Sequence, residues 1–396
     1  MSIIDRLAEQ QAWEQFLSYR LMKGRFSWDE FDQADTYVAS QQFRRLACRL
    51  QQGEPLSVPV RHLVNKMGSG RKRVVYSYTP DEMAMLKAMA FLLYRYDPLL
   101  SPNLYSFRRG LTAHNAIRRL VSTIGDRRVW AYKTDIHDYF NTISVPLLLP
   151  MLRDVLADDP RLYDFFERML TDGRASADGN IVSEEHGVMA GTPTSPFLAN
   201  VYLSEVDRHF HEAGVLYARY SDDIIVFADS RHELDRHIGT LTRMLSKYRL
   251  VINPDKVNIY EPGEPFDFLG FRCCGREIDI AEAARRKMKD KIRRKARALD
   301  RWRSKHDVAP EKAMRVLISH FNRKFFEGDD PTALTWSRWF FPIINRTEGL
   351  HEIDRYLQHY LRFLSTGRHC KANYRTSYAR LRELGYRSLV HEFYLG

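Results

Sequence analysis

Residues 216–227 read LYARYSDDIIVF, with the adjacent aspartates Asp222 and Asp223 between two runs of aromatic and β-branched residues. Such residues favour strands, and a short polar break between two strands favours a tight turn. The stretch therefore predicts a strand, a turn and a second strand, with both carboxylates at the tip. An Asp-Asp pair on its own is more often a solvated turn than a functional site, so its meaning depends on the rest of the chain.

A second acidic position lies about ninety residues upstream, where residues 130–136 read WAYKTDI and Asp135 ends a strand-like run. Two strand ends would then supply three carboxylates. Magnesium binds hard oxygen ligands in octahedral geometry, and a pair of such ions is a common arrangement for phosphoryl transfer. The sequence therefore predicts a two-magnesium site formed by Asp135, Asp222 and Asp223.

The composition favours a polyanionic partner. The chain has 396 residues, a formal net charge of +11, 21 Tyr and 22 Phe, which suits a nucleic acid that offers both phosphates and bases. No long apolar run or signal-like N-terminus is present, so no membrane partner is expected. The four cysteines form no Cys-x-x-Cys pair, which predicts neither a zinc site nor a disulfide framework and makes the cytoplasm the expected compartment.

The order of patterns predicts an α+β protein. Residues 5–52 have apolar residues at helical spacing, and residues 58–77 alternate like a hairpin. Strands and helices then alternate through residue 271. One helix is expected to begin at a Ser195 cap and end at Gly214. From residue 281 onward the pattern is helical and strongly basic.

Six segments stand in a characteristic order. They are residues 103–117 (NLYSFRRGLTAHNAI), 135–143 (DIHDYFNTI), 187–203 (GVMAGTPTSPFLANVYL), 220–223 (YSDD), 250–256 (LVINPDK) and 268–271 (FLGF). The first resembles the finger motif of group II intron-type and other bacterial reverse transcriptases. The other five resemble palm motifs A to E of that family, in its order. Any one motif arises by chance, whereas the whole set in register rarely does.

The resemblance implies a right-hand polymerase fold with fingers, palm and thumb. The implied division is an N-terminal helical extension (1–57), fingers (58–128), a palm with an antiparallel sheet (129–275) and a basic helical thumb with a C-terminal extension (276–396). Finger helices are expected as an insertion at about 145–186 of the palm.

The resemblance also implies the chemistry. A primer 3′-hydroxyl would attack the α-phosphate of a dNTP, with two Mg²⁺ ions, or Mn²⁺ in their place, as cofactors. Asp135 and Asp222 would bridge both ions, Asp223 would be an auxiliary ligand, and the Ile136 carbonyl would be a further ligand. Lys256 matches the motif D lysine that protonates the leaving pyrophosphate, with an ordinary surface lysine as the alternative.

Several residues are expected to contact the nucleotide. Phe140 matches the bulky residue that blocks a 2′-hydroxyl, although a core aromatic is the alternative. Arg73, and after it Lys66, would meet the triphosphate from the finger hairpin. Arg108 is a candidate nucleotide or template contact. Gly191 would let the backbone approach the nascent base pair, whereas the family's preceding glutamine is Ala190 here, which puts general templating in doubt.

The last two motif-level predictions concern nucleic-acid contacts. Phe268, Leu269 and Gly270 match the primer grip, and a buried hairpin is compatible with that role. A dense basic run after residue 284 predicts a helix that binds a phosphate backbone, with a solvated helix as the alternative for any single residue. Its candidate contacts are Arg285, Arg286, Lys289, Arg293, Arg294 and Arg297.

These features predict an RNA-directed DNA polymerase whose partners are an RNA template, dNTPs and a DNA product. No RNase H-like acidic cluster or endonuclease motif follows the palm, so the chain resembles stand-alone enzymes of anti-phage defence systems, which copy a dedicated non-coding RNA. Two alternatives stay open: template-independent or protein-primed synthesis on the same fold, and a non-catalytic RNA-binding scaffold. The oligomeric state is not predicted.

Overall fold

The computed structural model describes residues 1–24, 28–65, 72–183, 187–328 and 334–396. The chain divides into two compact units, Met1–Gly263 and Glu264–Gly396. Helices of the first unit are α1 (Ile3–Arg6), α2 (Gln10–Met22), α3 (Trp28–Ala39), α4 (Phe43–Gln51), α5 (Pro80–Leu92), α6 (Ala113–Ile124), α7 (Tyr139–Thr142), α8 (Val145–Val155), α9 (Pro160–Thr171), α10 (Ser195–Tyr202), α11 (Ser204–Glu212) and α12 (Arg231–Lys247). Its strands are β1 (Val60–Asn65), β2 (Lys72–Ser77), β3 (Trp130–Asp135), β4 (Arg174–Ala177), β5 (Asn180–Ser183), β6 (Tyr217–Tyr220), β7 (Asp223–Ala228) and β8 (Asn258–Tyr260).

The central sheet of the first unit has the strand order β6-β7-β3-β8, and all its neighbours are antiparallel. The inner strand β7 carries Ile224, Ile225 and Val226, which are almost fully buried. Helices α11 and α12 pack against this sheet. Burial of branched side chains on a pleated surface is what favours strand formation here. The sheet corresponds to the predicted palm.

A second sheet has the order β2-β1-β4-β5. Strands β1 and β2 form the predicted hairpin, and its loop, residues 66–71, lies outside the described residues. The segment expected to hold only finger helices also contains the β4–β5 hairpin, whose turn is Asp178-Gly179 with positive φ at both residues. Asp-Gly is a favoured two-residue hairpin turn, so the sequence carried this signal.

The N-terminal extension forms four helices rather than one continuous segment. Trp13 of α2 stacks on Phe43 of α4 with ring centroids 5.0 Å apart, and both are buried as the helical spacing predicts. Leu21, an apolar residue of the same helix, lies at its exposed end with 43% of its surface accessible.

In the second unit a small sheet precedes a set of helices. Its strands are β9 (Phe266–Phe268), β10 (Phe271–Cys274) and β11 (Glu277–Ile280), and its helices are α13 (Glu282–Lys305), α14 (Pro310–Asn322), α15 (Trp336–Phe340), α16 (Glu348–Thr366), α17 (Tyr378–Glu383) and α18 (Leu389–Leu395). The basic helix α13 packs on α14 and α16 through its narrow apolar stripe, which comprises Met288, Ile292, Ala296 and Leu299. No described helix is long and apolar enough to cross a bilayer.

The C-terminal tail is anchored by a buried carboxylate. Asp354 of α16 accepts hydrogen bonds from the Tyr386 hydroxyl at 2.8 Å, the Ser388 hydroxyl at 2.6 Å and the Leu389 amide at 2.9 Å. A buried carboxylate needs several donors to offset its desolvation. This cluster therefore fixes α18 against α16.

Candidate active site

The Asp222-Asp223 stretch forms the predicted strand, turn and strand. Tyr220 pairs with Asp223 at the end of the β6–β7 ladder, and Ser221-Asp222 is the two-residue connection. Ser221 has φ of 61°, in the left-handed region that L-amino acids other than Gly, Asn and Asp seldom adopt. The turn thus presents Asp222 at the tip and Asp223 at the first position of β7.

The third carboxylate lies on the neighbouring strand. Asp135, the last residue of β3, is directly opposite Asp223 in the antiparallel ladder. The Ile136 amide donates to the Asp222 carbonyl at 3.2 Å, which ties the end of β3 to the turn. The register therefore brings all three predicted acids, and the backbone of Ile136, to one end of the palm sheet.

Burial and mutual repulsion act on these acids. Burial raises the pKa of Asp222, and the nearby Asp135 raises it further. Burial and the charge of Asp222 raise the pKa of Asp223 to about 6, although Lys133 and Lys256 oppose the shift. A nearby cation therefore stabilises the ionised form of each carboxylate and lowers its pKa.

Lys256 is one such cation. Its ammonium donates a short hydrogen bond to Asp135 Oδ2, whereas Asp135 Oδ1 is buried and has no hydrogen-bond partner. A buried carboxylate oxygen without a donor is suited to a hard divalent ion. In the described ranges, no three His, Cys, Asp or Glu side chains are spaced to hold an ion.

The motif B loop is fixed by backbone contacts on two sides. The Val188 amide donates to the Phe140 carbonyl at 3.0 Å, and the Tyr76 amide of β2 donates to the Ala190 carbonyl at 2.7 Å. Gly191 has φ of +103°, and a Cβ there would lie 2.9 Å from the Tyr76 carbonyl oxygen. In this structure the glycine is required by its close approach to the finger strand, which the sequence analysis did not foresee.

Ser195 does not cap a helix that runs to Gly214. Its hydroxyl hydrogen-bonds the carbonyls of Val188 and Met189 at 2.6 and 2.7 Å, and it is the first residue of α10. The expected single helix is two helices, since α10 ends at Tyr202 and α11 begins at Ser204. The seryl side chain thus supports the motif B loop rather than the helix end.

Of the remaining predicted nucleotide contacts, Phe140 and Arg73 lie in the described residues. Phe140 is half-buried in α7, with its ring edge-on to Phe107 at a centroid distance of 6.4 Å. Arg73 is exposed on β2 opposite Val64. Lys66 lies outside the described residues. The roles of all three stay predictions.

Arg108 is held by backbone carbonyls. Its guanidinium donates to the carbonyls of Ser101 at 2.7 Å, Asp97 at 2.8 Å and Leu104 at 3.2 Å. These bonds brace the loop before α6, which its place in the motif did not reveal. Its contact with a nucleotide or template stays a prediction.

The predicted primer-grip residues form a buried hairpin. Leu269 and Gly270, both with positive φ, make the turn between β9 and β10, and Phe268 is fully buried. Phe271 packs against Phe340 with ring centroids 5.3 Å apart. The hairpin is confirmed, and contact with a primer stays a prediction.

The candidate phosphate contacts of α13 fall into two groups. Arg285 and Lys289 bind the Glu352 carboxylate at 2.5 and 2.6 Å, and Arg293 binds Asp290 at 2.7 Å. Glu352 thus pairs with Arg285 and Lys289, and the contact of these two residues with a phosphate backbone stays a prediction. The exposed Arg286, Arg294 and Arg297 form no ion pair with any described residue and stay candidates.

The residues beneath the Ser221-Asp222 turn, here called the catalytic turn, carry no role predicted from the sequence. Arg219 and Asp207 form a salt bridge with both side chains fully buried, and Ser106 contacts the turn backbone. An arginine inside a strand of otherwise buried residues was the available signal, because a buried cation needs a partner.

Comparison with known proteins agrees with this geometry. Paired strands that join three acids define the palm of a right-hand polymerase, the predicted fold class. Residues 64–273 match the family model described as "Reverse transcriptase (RNA-dependent DNA polymerase)". The chain belongs to this family.

Its relatives include protein YkfC of Escherichia coli, 25% identical over 207 residues that cover 42% of this chain and 54% of YkfC. Group II intron-encoded protein LtrA of Lactococcus lactis is 23% identical over 222 residues, which cover 54% of this chain and 35% of LtrA. The chain thus spans about half of YkfC and about a third of LtrA.

Solved structures similar to this chain include apo telomerase from Candida tropicalis, with a TM-score of 0.48, 12% identity and coverage of 86% of this chain and 61% of that one. Telomerase from Candida albicans in complex with a telomeric RNA fragment gives a TM-score of 0.46, 10% identity and coverage of 88% and 68%.

The Gly191 contact generates a prediction. Gly191→Ala should lower dNTP incorporation about tenfold or more, a loss of about 1.4 kcal/mol, because the new Cβ meets the β2 backbone. The matched control is Gly214→Ala, which also has positive φ but no atom within 4 Å of the added Cβ. Incorporation rates and melting temperatures of both variants provide the measurement, and equal behaviour would contradict the steric explanation.

Proposed function

We propose that the protein is an RNA-directed DNA polymerase that adds dNTPs to a primer with the aid of two Mg²⁺ ions. The observation that carries the proposal is the pairing of Asp135 with Asp223, which joins both acidic motifs at one sheet end. Membership of the reverse transcriptase family supports the same chemistry.

In this proposal the three carboxylates and the Ile136 carbonyl would hold the ions. Asp135 would then no longer be paired with the Lys256 ammonium. When bound, the two ions lower the pKa of the primer 3′-hydroxyl and neutralise charge on the triphosphate. Lys256 is then placed to donate a proton to the leaving pyrophosphate. Arg73 holds the triphosphate from β2.

The template is proposed to be RNA, and more finely a dedicated non-coding RNA of an anti-phage defence system. The defence assignment rests on the resemblance to bacterial reverse transcriptases, which include enzymes of such systems. Sequencing of RNA and DNA that copurify with the full chain tests the dedicated RNA: a single enriched RNA with complementary DNA is expected, and unrelated cellular RNA without matching DNA would contradict the proposal.

Template-independent or protein-primed synthesis is a second candidate, favoured by Ala190 in place of the usual glutamine. Defined RNA templates distinguish the two. Product sequences complementary to the supplied RNA are expected from templated synthesis, whereas products of fixed composition on every template would favour the second candidate.

The metal site is tested by the paired substitution Asp222→Ala with Asp223→Ala. We expect loss of dNTP incorporation and retention of RNA binding, because the ligands are removed while the fold remains. Asp229→Ala, at the exposed residue that directly follows β7, is the matched control and should remain active. Undiminished synthesis by the double variant would refute the site, whereas a native chain that binds RNA but incorporates no dNTP would favour the scaffold alternative.

Phe140 is proposed to exclude ribonucleotides. Phe140→Ala should raise the use of rNTPs relative to dNTPs by about a hundredfold, or about 2.7 kcal/mol, because the barrier to a 2′-hydroxyl is removed. Phe140→Tyr keeps the bulk and should keep the selectivity. Competitive incorporation assays measure both ratios, and strict dNTP use by the alanine variant would remove the assigned role.

A cationic face of α13 is proposed to bind the nucleic-acid backbone. It comprises Lys287, Lys291 and Arg294, with Lys324 after α14. Burial lowers the pKa of Lys291, and Lys324, Arg294 and Lys287 lower it further, so these cations lie close together and repel one another. A phosphate backbone relieves such repulsion.

Arg294→Ala should therefore weaken RNA binding and reduce the slope of log K against log salt concentration by about one. Lys289→Ala removes the same charge from the same helix, but its ammonium is paired with Glu352. Its salt slope should equal that of the native chain. Binding isotherms at several salt concentrations measure both, and equal slopes for the two variants would contradict the proposed face.

A further inference from the structure

A buried ion pair lies beneath the catalytic turn. Arg219 of β6 and Asp207 of α11 have fully buried side chains, and the guanidinium donates to the carboxylate twice, at 2.8 Å from Nε and 2.5 Å from Nη2. Burying two charges carries a desolvation cost that the attraction between them often only offsets. Core packing could therefore be achieved without this pair, which leaves its other contacts to explain its presence.

One of those contacts is to the turn itself. Arg219 Nη1 donates to the Ser221 carbonyl at 3.1 Å, and the Ser221 amide donates to the Ser106 hydroxyl at 2.8 Å. Both backbone polar groups of Ser221 are thus held by side chains. Ser221 is the residue with left-handed φ that directly precedes Asp222, a conformation that costs about 1–2 kcal/mol for most L-residues.

The two supports belong to one network. The Ser106 hydroxyl donates to the Asn200 side-chain carbonyl at 3.4 Å, and the Asn200 amide group donates back to the Ser106 carbonyl at 3.0 Å. The Tyr217 hydroxyl donates to Asp207 Oδ1 at 2.9 Å. Loop 103–107, α10, α11 and β6 therefore meet at the base of the turn, where the side chains of Ser106, Asn200, Asp207 and Arg219 all form hydrogen bonds.

We infer that Ser106 and Arg219 are positioning residues that hold the Ser221 turn so that Asp222 is preorganised to bind a divalent cation. The inference rests on the proposed metal site. Without these bonds Ser221 can relax from its strained conformation, and the adjacent Asp222 then has to be ordered when the ion binds. That ordering lowers metal affinity while leaving the groups that contact the nucleotide unchanged.

The primary test is Mn²⁺ binding to the full chain, measured by the loss of the free-ion electron paramagnetic resonance signal. Ser106→Ala should weaken Mn²⁺ binding about fivefold, the factor that corresponds to one lost hydrogen bond of about 1 kcal/mol. The Mg²⁺ concentration for half-maximal incorporation should rise by a similar factor, with the dNTP KM unchanged. Ser122→Ala, which deletes an exposed hydroxyl in α6, should behave as the native chain.

A second variant addresses the buried pair without removing its charge. In Arg219→Lys a single ammonium can remain with Asp207 but cannot also reach the Ser221 carbonyl. We expect weaker Mn²⁺ binding again, and less than additive loss when it is combined with Ser106→Ala, because both substitutions release the same residue.

Asp222→Ala in the same binding assay separates this inference from the function on which it rests. If Asp222→Ala keeps native Mn²⁺ affinity, the proposed metal site itself is wrong. If Asp222→Ala loses affinity while Ser106→Ala and Arg219→Lys keep it, the metal site stands and the positioning role is overturned. A loss in Ser106→Ala that only parallels a fall in melting temperature would equally assign the network to stability alone.

Discussion

The β3–β7 ladder is the constraint on which the site depends. In an antiparallel pair, successive side chains alternate between faces, so a slip of one residue moves every side chain to the opposite face. Asp135 opposes Asp223 only because β3 ends where β7 begins. A shift by one position would place Asp135 opposite Asp222 or Ile224 instead of Asp223, and Asp135 and Asp223 would no longer share a face. Backbone bonds at the end of the ladder hold the observed register, because the Ile136 amide donates to the Asp222 carbonyl at 3.2 Å and the Asn253 amide donates to the Asp135 carbonyl at 3.0 Å.

Concentrating negative charge at a sheet end has an electrostatic cost, and the surrounding palm offsets it. Lys133 and Lys256 lower the pKa of Asp223 against the effects of burial and of Asp222. The buried Arg219 donates a hydrogen bond to the Ser221 carbonyl of the turn, and Asp207 neutralises the charge of Arg219. The cations that support the acids thus come from β3, β6 and the segment before β8. Residues of the sheet, the turn and the flanking segment thus act together on the charge of these carboxylates.

Local patterns predicted what local physics determines. Runs of aromatic and β-branched residues predicted the strands on both sides of the Asp222-Asp223 turn, and the structure has β6 and β7 there. Contacts between distant parts of the chain were beyond such patterns. The ion pairs of Arg285 and Lys289 with Glu352 join two helices that are far apart in sequence, so no local pattern predicts them. The Arg108 guanidinium donates to backbone carbonyls, which every residue carries, so the sequence gives no signal for these bonds either. The Asp178-Gly179 hairpin differs, since its turn signal was present and only its pairing with the finger sheet required the fold.

Ala190 shows how the metal chemistry and the templating can be separated. The motif B loop is held through the Ala190 carbonyl and the Val188 amide, and neither bond depends on the side chain at position 190. Loss of the family's glutamine therefore leaves the loop geometry intact. Ala190 is also only 1% exposed, so a longer side chain there would have to extend out of the packed loop to reach a base pair. The carboxylate trio lies on a different pair of elements and does not require this contact.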